Sequence, residues 1–128
     1  MSVVIDASAV LHLWLSPSGQ ALADRLPGHT LHVPSHFHVE AGNVIRRQRN
    51  AGILDEGAAR AAFEGIMLAP VRIYPFSSVA SRVRELGANM TGYDAAYVAL
   101  AERLRMPLVT HDAKLARMPG VRCSVEVF

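Results

Sequence analysis

Four acidic side chains stand where a chain could do chemistry with them. Asp6 ends the apolar run "VVI" at 3–5, and Glu40 sits in "HVEAGNVI" among apolar and small residues. Asp94 lies near the start of "TGYDAAYVALAE", and Asp112 follows the apolar core of "LVT" by two residues. Carboxylates brought into one cleft repel each other unless a cation joins them. The chemistry implied is that of a divalent ion. Mg²⁺ and Mn²⁺ prefer oxygen ligands and need only a few from protein when water supplies the rest.

Each acid also has a plainer reading. Asp6 can cap a helix beginning at Ala7, and Asp112 a short helix beginning at Ala113. Thr91 and Asp94 form a T-x-x-D pattern in which Asp94 closes a capping box. Glu40 resists this reading, because Ser35 already stands at the cap position of its helix. An inward glutamate without a partner is costly. Arg47, two turns on, or a metal would answer it, and Asn43, one turn on, shares its face.

The elements that must position these acids follow from periodicity. "VVI" at 3–5, "TLHV" at 30–33, "VRIY" at 71–74, "PLVT" at 107–110 and "VRCSVEV" at 121–127 read as strands, with Cys123 inside the last. Helical spacing marks 7–15, a short stretch to Leu26, 36–50, Asp55 to about Leu68, 77–86 and 92–105. Gly87 offers a C-terminal cap. Strands joined by helical crossovers imply an α/β/α domain with a mostly parallel central sheet. In such a sheet, strand C-terminal ends and helix N-termini share the ligand-binding edge. Asp6 and Asp112 fall on that edge, and Glu40 and Asp94 can point to it.

Composition narrows the classes. The chain has 128 residues, enough for one domain over 1–128 with a real core, and 51% are hydrophobic, which excludes a disordered chain or a rod. The single cysteine, Cys123, cannot build a disulfide framework and favours a reducing, cytoplasmic setting. The opening "MSVVIDASAV" has no signal-peptide pattern, and no stretch is long and apolar enough to span a membrane. Net charge is only +2, but "RRQR" at 46–49 concentrates it.

Taken together, these blocks resemble the PIN-domain ribonucleases, most closely the VapC toxins of toxin–antitoxin pairs. "VVIDASAV" is similar to the family's opening strand and first acid, "VPSHFHVEAGNVIRR" to its second acidic block, and "TGYDAAYVALAERLRMPLVTHDAKLA" to its third and fourth. The resemblance spans nearly the whole chain. It departs slightly at His111 before the fourth acid and in the fuller loop "ANMTGYD", and it leaves the RNA target open.

The resemblance implies a metal-dependent endoribonuclease. Mg²⁺ or Mn²⁺ would sit among Asp6, Glu40, Asp94 and Asp112 and hydrolyse an RNA phosphodiester to a 5′-phosphate and a 3′-hydroxyl. Asp6 and Asp94 would be the central ligands, Glu40 would act through water, and Asp112 would complete a second position. Ser8, Asn43 and Thr110 would orient ligands and water. Arg46, Arg47 and Arg49 would serve RNA, a VapB-type antitoxin or solubility. A homodimer using the helices of 36–69 is expected, and a structured RNA such as transfer RNA is the expected substrate.

Other readings stand beside it. A DNA-directed or general single-strand nuclease would use the same acids. A degenerate binding module would have lost one, and all four are present. A metal-free mechanism would fall to His111 as base. A response-receiver fold fits poorly, because Lys114 is the only lysine and lies in a short helix. His36 and His38, two apart, do not share a helix face as a zinc pair would. Tyr93 and Tyr97 read as core residues sooner than as base-stacking groups.

Overall fold

The computed structural model describes residues 1–128. Five strands, β1 (Ser2–Ile5), β2 (Thr30–Pro34), β3 (Val71–Tyr74), β4 (Leu108–Thr110) and β5 (Val125–Val127), form one sheet in the order β3-β2-β1-β4-β5. Every neighbouring pair is parallel. The helices are α1 (Ala7–Leu15), α2 (Gln20–Arg25), α3 (Phe37–Asn50), α4 (Glu56–Leu68), α5 (Ala80–Leu86) and α6 (Gly92–Leu104), with short 3-10 turns at Phe76–Ser78 and Ala113–Arg117.

The strand order reverses at β1. The chain moves outward from β1 through β2 to β3, then crosses back to β4 on the other side. Right-handed crossovers therefore put α1–α4 on one face and α5–α6 on the other. The packing agrees: α1 lies against α3 and α3 against α4, while α5 lies against α6 and α6 against β1, β2 and β4. This is the three-layer α/β/α architecture read from periodicity. The switch point opens a crevice at the C-terminal ends of β1 and β4, where such sheets bind ligands.

The core explains why these segments hold. Val3, Val4 and Ile5 are fully buried, as a central parallel strand covered on both faces requires. Helix α6 is buried from Ala95 through Ala101, and its "AAYVALA" run lets the backbone lie close to the sheet. Tyr97 and Phe37 are the largest fully buried side chains.

Several boundaries differ from those read in the sequence. His36, not Ser35, occupies the N-cap position of α3, and it makes no side-chain cap bond. Strand β2 runs on to Pro34, which is in register with Tyr74, so 35–36 form the turn. The last strand covers Val125–Val127 alone, leaving Cys123 outside it. The Arg122 N–H donates to the Glu102 carboxylate, and ladder pairing starts only where the Leu108 N–H meets the Ser124 carbonyl. The helix expected over 77–86 is split into a 3-10 turn and α5.

Candidate active site

Asp6 follows β1 directly and is buried. It caps α1, accepting the Ala9 N–H at 2.9 Å on Oδ1, which also takes the Ser8 hydroxyl at 2.7 Å. Its other oxygen accepts the hydroxyl of Thr110, the fully buried last residue of β4. Thr110 Oγ1 in turn accepts the Asp112 N–H at 2.9 Å, and Ser8 Oγ accepts the His111 N–H at 3.1 Å. The ends of β1 and β4 are thus laced together around one carboxylate.

Asp112 caps the turn Ala113–Arg117, accepting the Lys114 N–H at 3.0 Å. Thr91 caps α6, its hydroxyl accepting the Asp94 N–H at 3.2 Å. No bond returns from Asp94 to the Thr91 main chain, so the capping box stays half made and the carboxylate faces the cleft. Glu40 lies in the first turn of α3. Its partner is the Tyr97 hydroxyl, which donates to Oε1 at 3.0 Å. The expected Arg47 makes no ion pair with it, though its charge eases the carboxylate.

All four acids line one open cleft of about 620 Å³, with Ser8, His12, Arg47 and His111 among its other walls. Burial is the main cause that raises the pKa of Asp6, Glu40 and Asp94 above the ordinary carboxylate range. Like charge adds to it: Asp94 acts on Asp6, Asp6 and Asp94 on Glu40, and Asp112 on Asp94. A cation placed here would relieve both penalties. As the side chains stand, no three His, Cys, Asp or Glu groups are close enough together to grip an ion. The donor set suits an ion that keeps several waters and takes one or two carboxylates, as Mg²⁺ does.

Ser8 and Thr110 both hydrogen-bond to Asp6. Asn43 is not among the walls of this cleft. It lines both a smaller cleft beside it, whose walls include Glu40 and Arg47, and the groove between α3 and α4. The arginines separate too. Arg47 borders the acidic cleft, whereas Arg46 and Arg49 line a groove between α3 and α4 with Val39, Phe63 and Met67.

Two features escaped the sequence reading. Tyr97 is a core residue that also donates to Glu40; it follows Asp94 by three, which puts it on the same helix face. His12 stacks on His111 with ring centroids 3.9 Å apart and planes 9° from parallel. It follows Ser8 by four, the same kind of signal. His111 Nδ1 also meets the Phe128 carbonyl, so the ring is engaged on two sides.

The PIN domain family model matches residues 3–121. The chain is 37% identical over 126 residues to Ribonuclease VapC12 of Mycobacterium tuberculosis, covering 98% of each chain. Among solved structures it is similar to PAE2754 from Pyrobaculum aerophilum, with TM-score 0.68 and 28% identity over 96% of this chain and 89% of that one. VapBC2 from Rickettsia felis, solved bound to a DNA fragment from its promoter, shares the fold at TM-score 0.65 and 14% identity, covering 99% of this chain and 98% of that chain. The relation to VapC12, over nearly the full length of both chains, joins with the carboxylate cleft at the switch point: this chain belongs to the PIN-domain family and, within it, to the VapC-type ribonucleases.

Proposed function

We propose that this chain is a metal-dependent endoribonuclease, the toxin of a VapBC-type pair, acting as one domain over 1–128. The observation that carries this reading is the convergence of Asp6, Glu40, Asp94 and Asp112 on one cleft at the sheet's switch point. PIN-domain ribonucleases generally use divalent metals, and Mg²⁺ or Mn²⁺ is the ion proposed here. Such an ion supplies Lewis acidity and a bound water of lowered pKa.

The chain's own residues do the rest. Asp6 and Asp94 would hold the ion. Ser8 and Thr110 donate to Asp6 and fix its oxygens, so the ligand is oriented before anything binds. The Tyr97 hydroxyl fixes Glu40, which orients the attacking water and takes up its proton. Asp112, whose N–H is tied to Asp6 through Thr110, would complete a second position. Arg47, at the rim and without an ion pair, meets a backbone phosphate.

The substrate proposed is a structured RNA such as transfer RNA, and the partners are a VapB-type antitoxin and a second copy of the chain, with helices in 36–69 contributing. The setting proposed is the cytoplasm, where Cys123 stays reduced. No helix is long and apolar enough to cross a membrane.

The test is cleavage of labelled single-stranded RNA, a transfer RNA pool and DNA of matching sequence, each with Mg²⁺, Mn²⁺ or EDTA. Metal-dependent cutting of RNA with DNA left intact is the expected result. Equal cutting of DNA would replace this reading with a general nuclease. A protein that binds RNA but cuts nothing would be a binding module.

A further inference from the structure

The smaller cleft beside Glu40 adjoins the carboxylate cleft. Its volume is about 280 Å³, and its walls are His36, Val39, Glu40, Asn43, Arg47 and Tyr93. Glu40 and Arg47 belong to both clefts and form the ridge between them. The space falls just under the roughly 300–1,000 Å³ of a site for a drug-sized ligand. It suits one planar group.

Three observations bear on what that group is. Tyr93 is 64% exposed, an aromatic ring held at the start of α6 directly before Asp94. Its ring lies 5.4 Å from that of His36 at a 59° tilt, and His36 rests edge-on against Tyr97 at 5.0 Å. The Tyr93 ring is thus propped from beneath while its outer face is free. His36 Nε2 is buried and has no hydrogen-bond partner. Glu40 Oε2 stands 3.9 Å from it, beyond hydrogen-bond range. Enclosed by Tyr93, Tyr97 and Glu40, the His36 ring supports Tyr93 and stays out of a ligand's reach.

We propose that this cleft is a nucleobase subsite, in which the free face of Tyr93 stacks on the base flanking the scissile phosphate and Asn43, exposed in the same cleft, meets its edge. The proposal rests on the ribonuclease reading above. A planar group attached to a phosphodiester in the larger cleft must cross the Glu40–Arg47 ridge, and in RNA that group is a base. Stacking on an aromatic ring tolerates any base, whereas a hydrogen bond to a base edge selects among them. Tyr93 therefore supplies affinity, and Asn43 supplies preference.

The test uses short RNAs carrying 2-aminopurine at successive positions, bound to the full chain in EDTA, together with sequencing of the ends that each variant produces from a random RNA pool. The wild type quenches one position beside the cut and shows a base preference there. Tyr93→Ala loses that quenching and about 5- to 100-fold in affinity, while Tyr93→Phe keeps both. Asn43→Ala keeps the quenching but changes the base preferred. Because Tyr93 is exposed, its alanine variant folds as the wild type does. If Tyr93→Ala quenches, binds and cuts as the wild type with the same preference, the subsite is overturned while the ribonuclease stands. If the wild type quenches through Tyr93 but cuts no RNA, the subsite stands and the ribonuclease falls. Absence of quenching in the wild type overturns the subsite as well.

Discussion

Thr110 donates its hydroxyl to Asp6 across a separation of 104 residues, and the same oxygen accepts the Asp112 N–H. One buried threonine thus sets two of the four acids. Thr110→Val keeps the shape and removes both bonds. It leaves a buried carboxylate oxygen and an N–H short of a partner, a loss of about 1–3 kcal/mol in stability. Metal affinity falls by about 10- to 100-fold. Denaturant unfolding and a Mn²⁺ titration measure the two effects.

Tyr97→Phe deletes only the donor to Glu40. A hydrogen bond to a charged group contributes about 1.5–3 kcal/mol, so the cleavage rate falls about tenfold or more. Losing that donor raises the proton affinity of Glu40 further. The acidic limb of the pH–rate profile therefore moves to higher pH. A profile that keeps its shape would deny Glu40 its role with water.

The metal-free protein should lose stability as pH rises. Asp6, Glu40 and Asp94 hold their protons more tightly folded than unfolded, chiefly because of burial. The folded state then binds more protons than the unfolded state, and the slope of stability with pH is negative. The loss begins as pH passes the unfolded values of 3.8 for Asp and 4.5 for Glu and is complete above the raised folded values. Asp94→Asn should raise the Tm of metal-free protein at neutral pH, with the gain fading below about pH 4. Mn²⁺ should stabilise the wild type far more than the variant. Thermal melts with EDTA or Mn²⁺ across pH decide both points.

The arginines should divide by the cleft they border. Arg47→Ala weakens RNA binding and lowers the salt slope by about one. Arg46→Ala and Arg49→Ala leave RNA binding close to wild type, because both face the α3–α4 groove and Arg49 approaches Glu56 at 3.5 Å. Binding isotherms at several salt concentrations separate them.

The layered parallel sheet and the four acids were legible in the sequence for one reason. A carboxylate just past a buried strand, or in the first turn of a helix, reaches the same edge whichever way the layers pack. The capping and chemical readings of Asp6 and Asp112 proved compatible, since each caps its helix or turn and lines the cleft. Side-chain direction along α3 was legible too. At about 100° per residue, Arg47 lies within about 20° of Glu40 on α3, Asn43 about 60° away, and Arg46 and Arg49 on other faces. That sorts them as the clefts do. The Ser35 cap and the strand over 121–124 were not legible. Propensity is local, whereas those boundaries follow from Pro34 pairing with Tyr74 and from Glu102 holding the Arg122 N–H.

The central claim is that the carboxylate cleft cuts RNA through a bound divalent ion. Its most direct test is the rate of RNA cleavage against Mn²⁺ concentration for wild type and Asp94→Asn, with EDTA as the zero point. Saturable, metal-dependent cutting by the wild type, with the variant at background, is the predicted result. Cutting that persists in EDTA and survives Asp94→Asn would contradict the account and direct attention to the stacked His12 and His111.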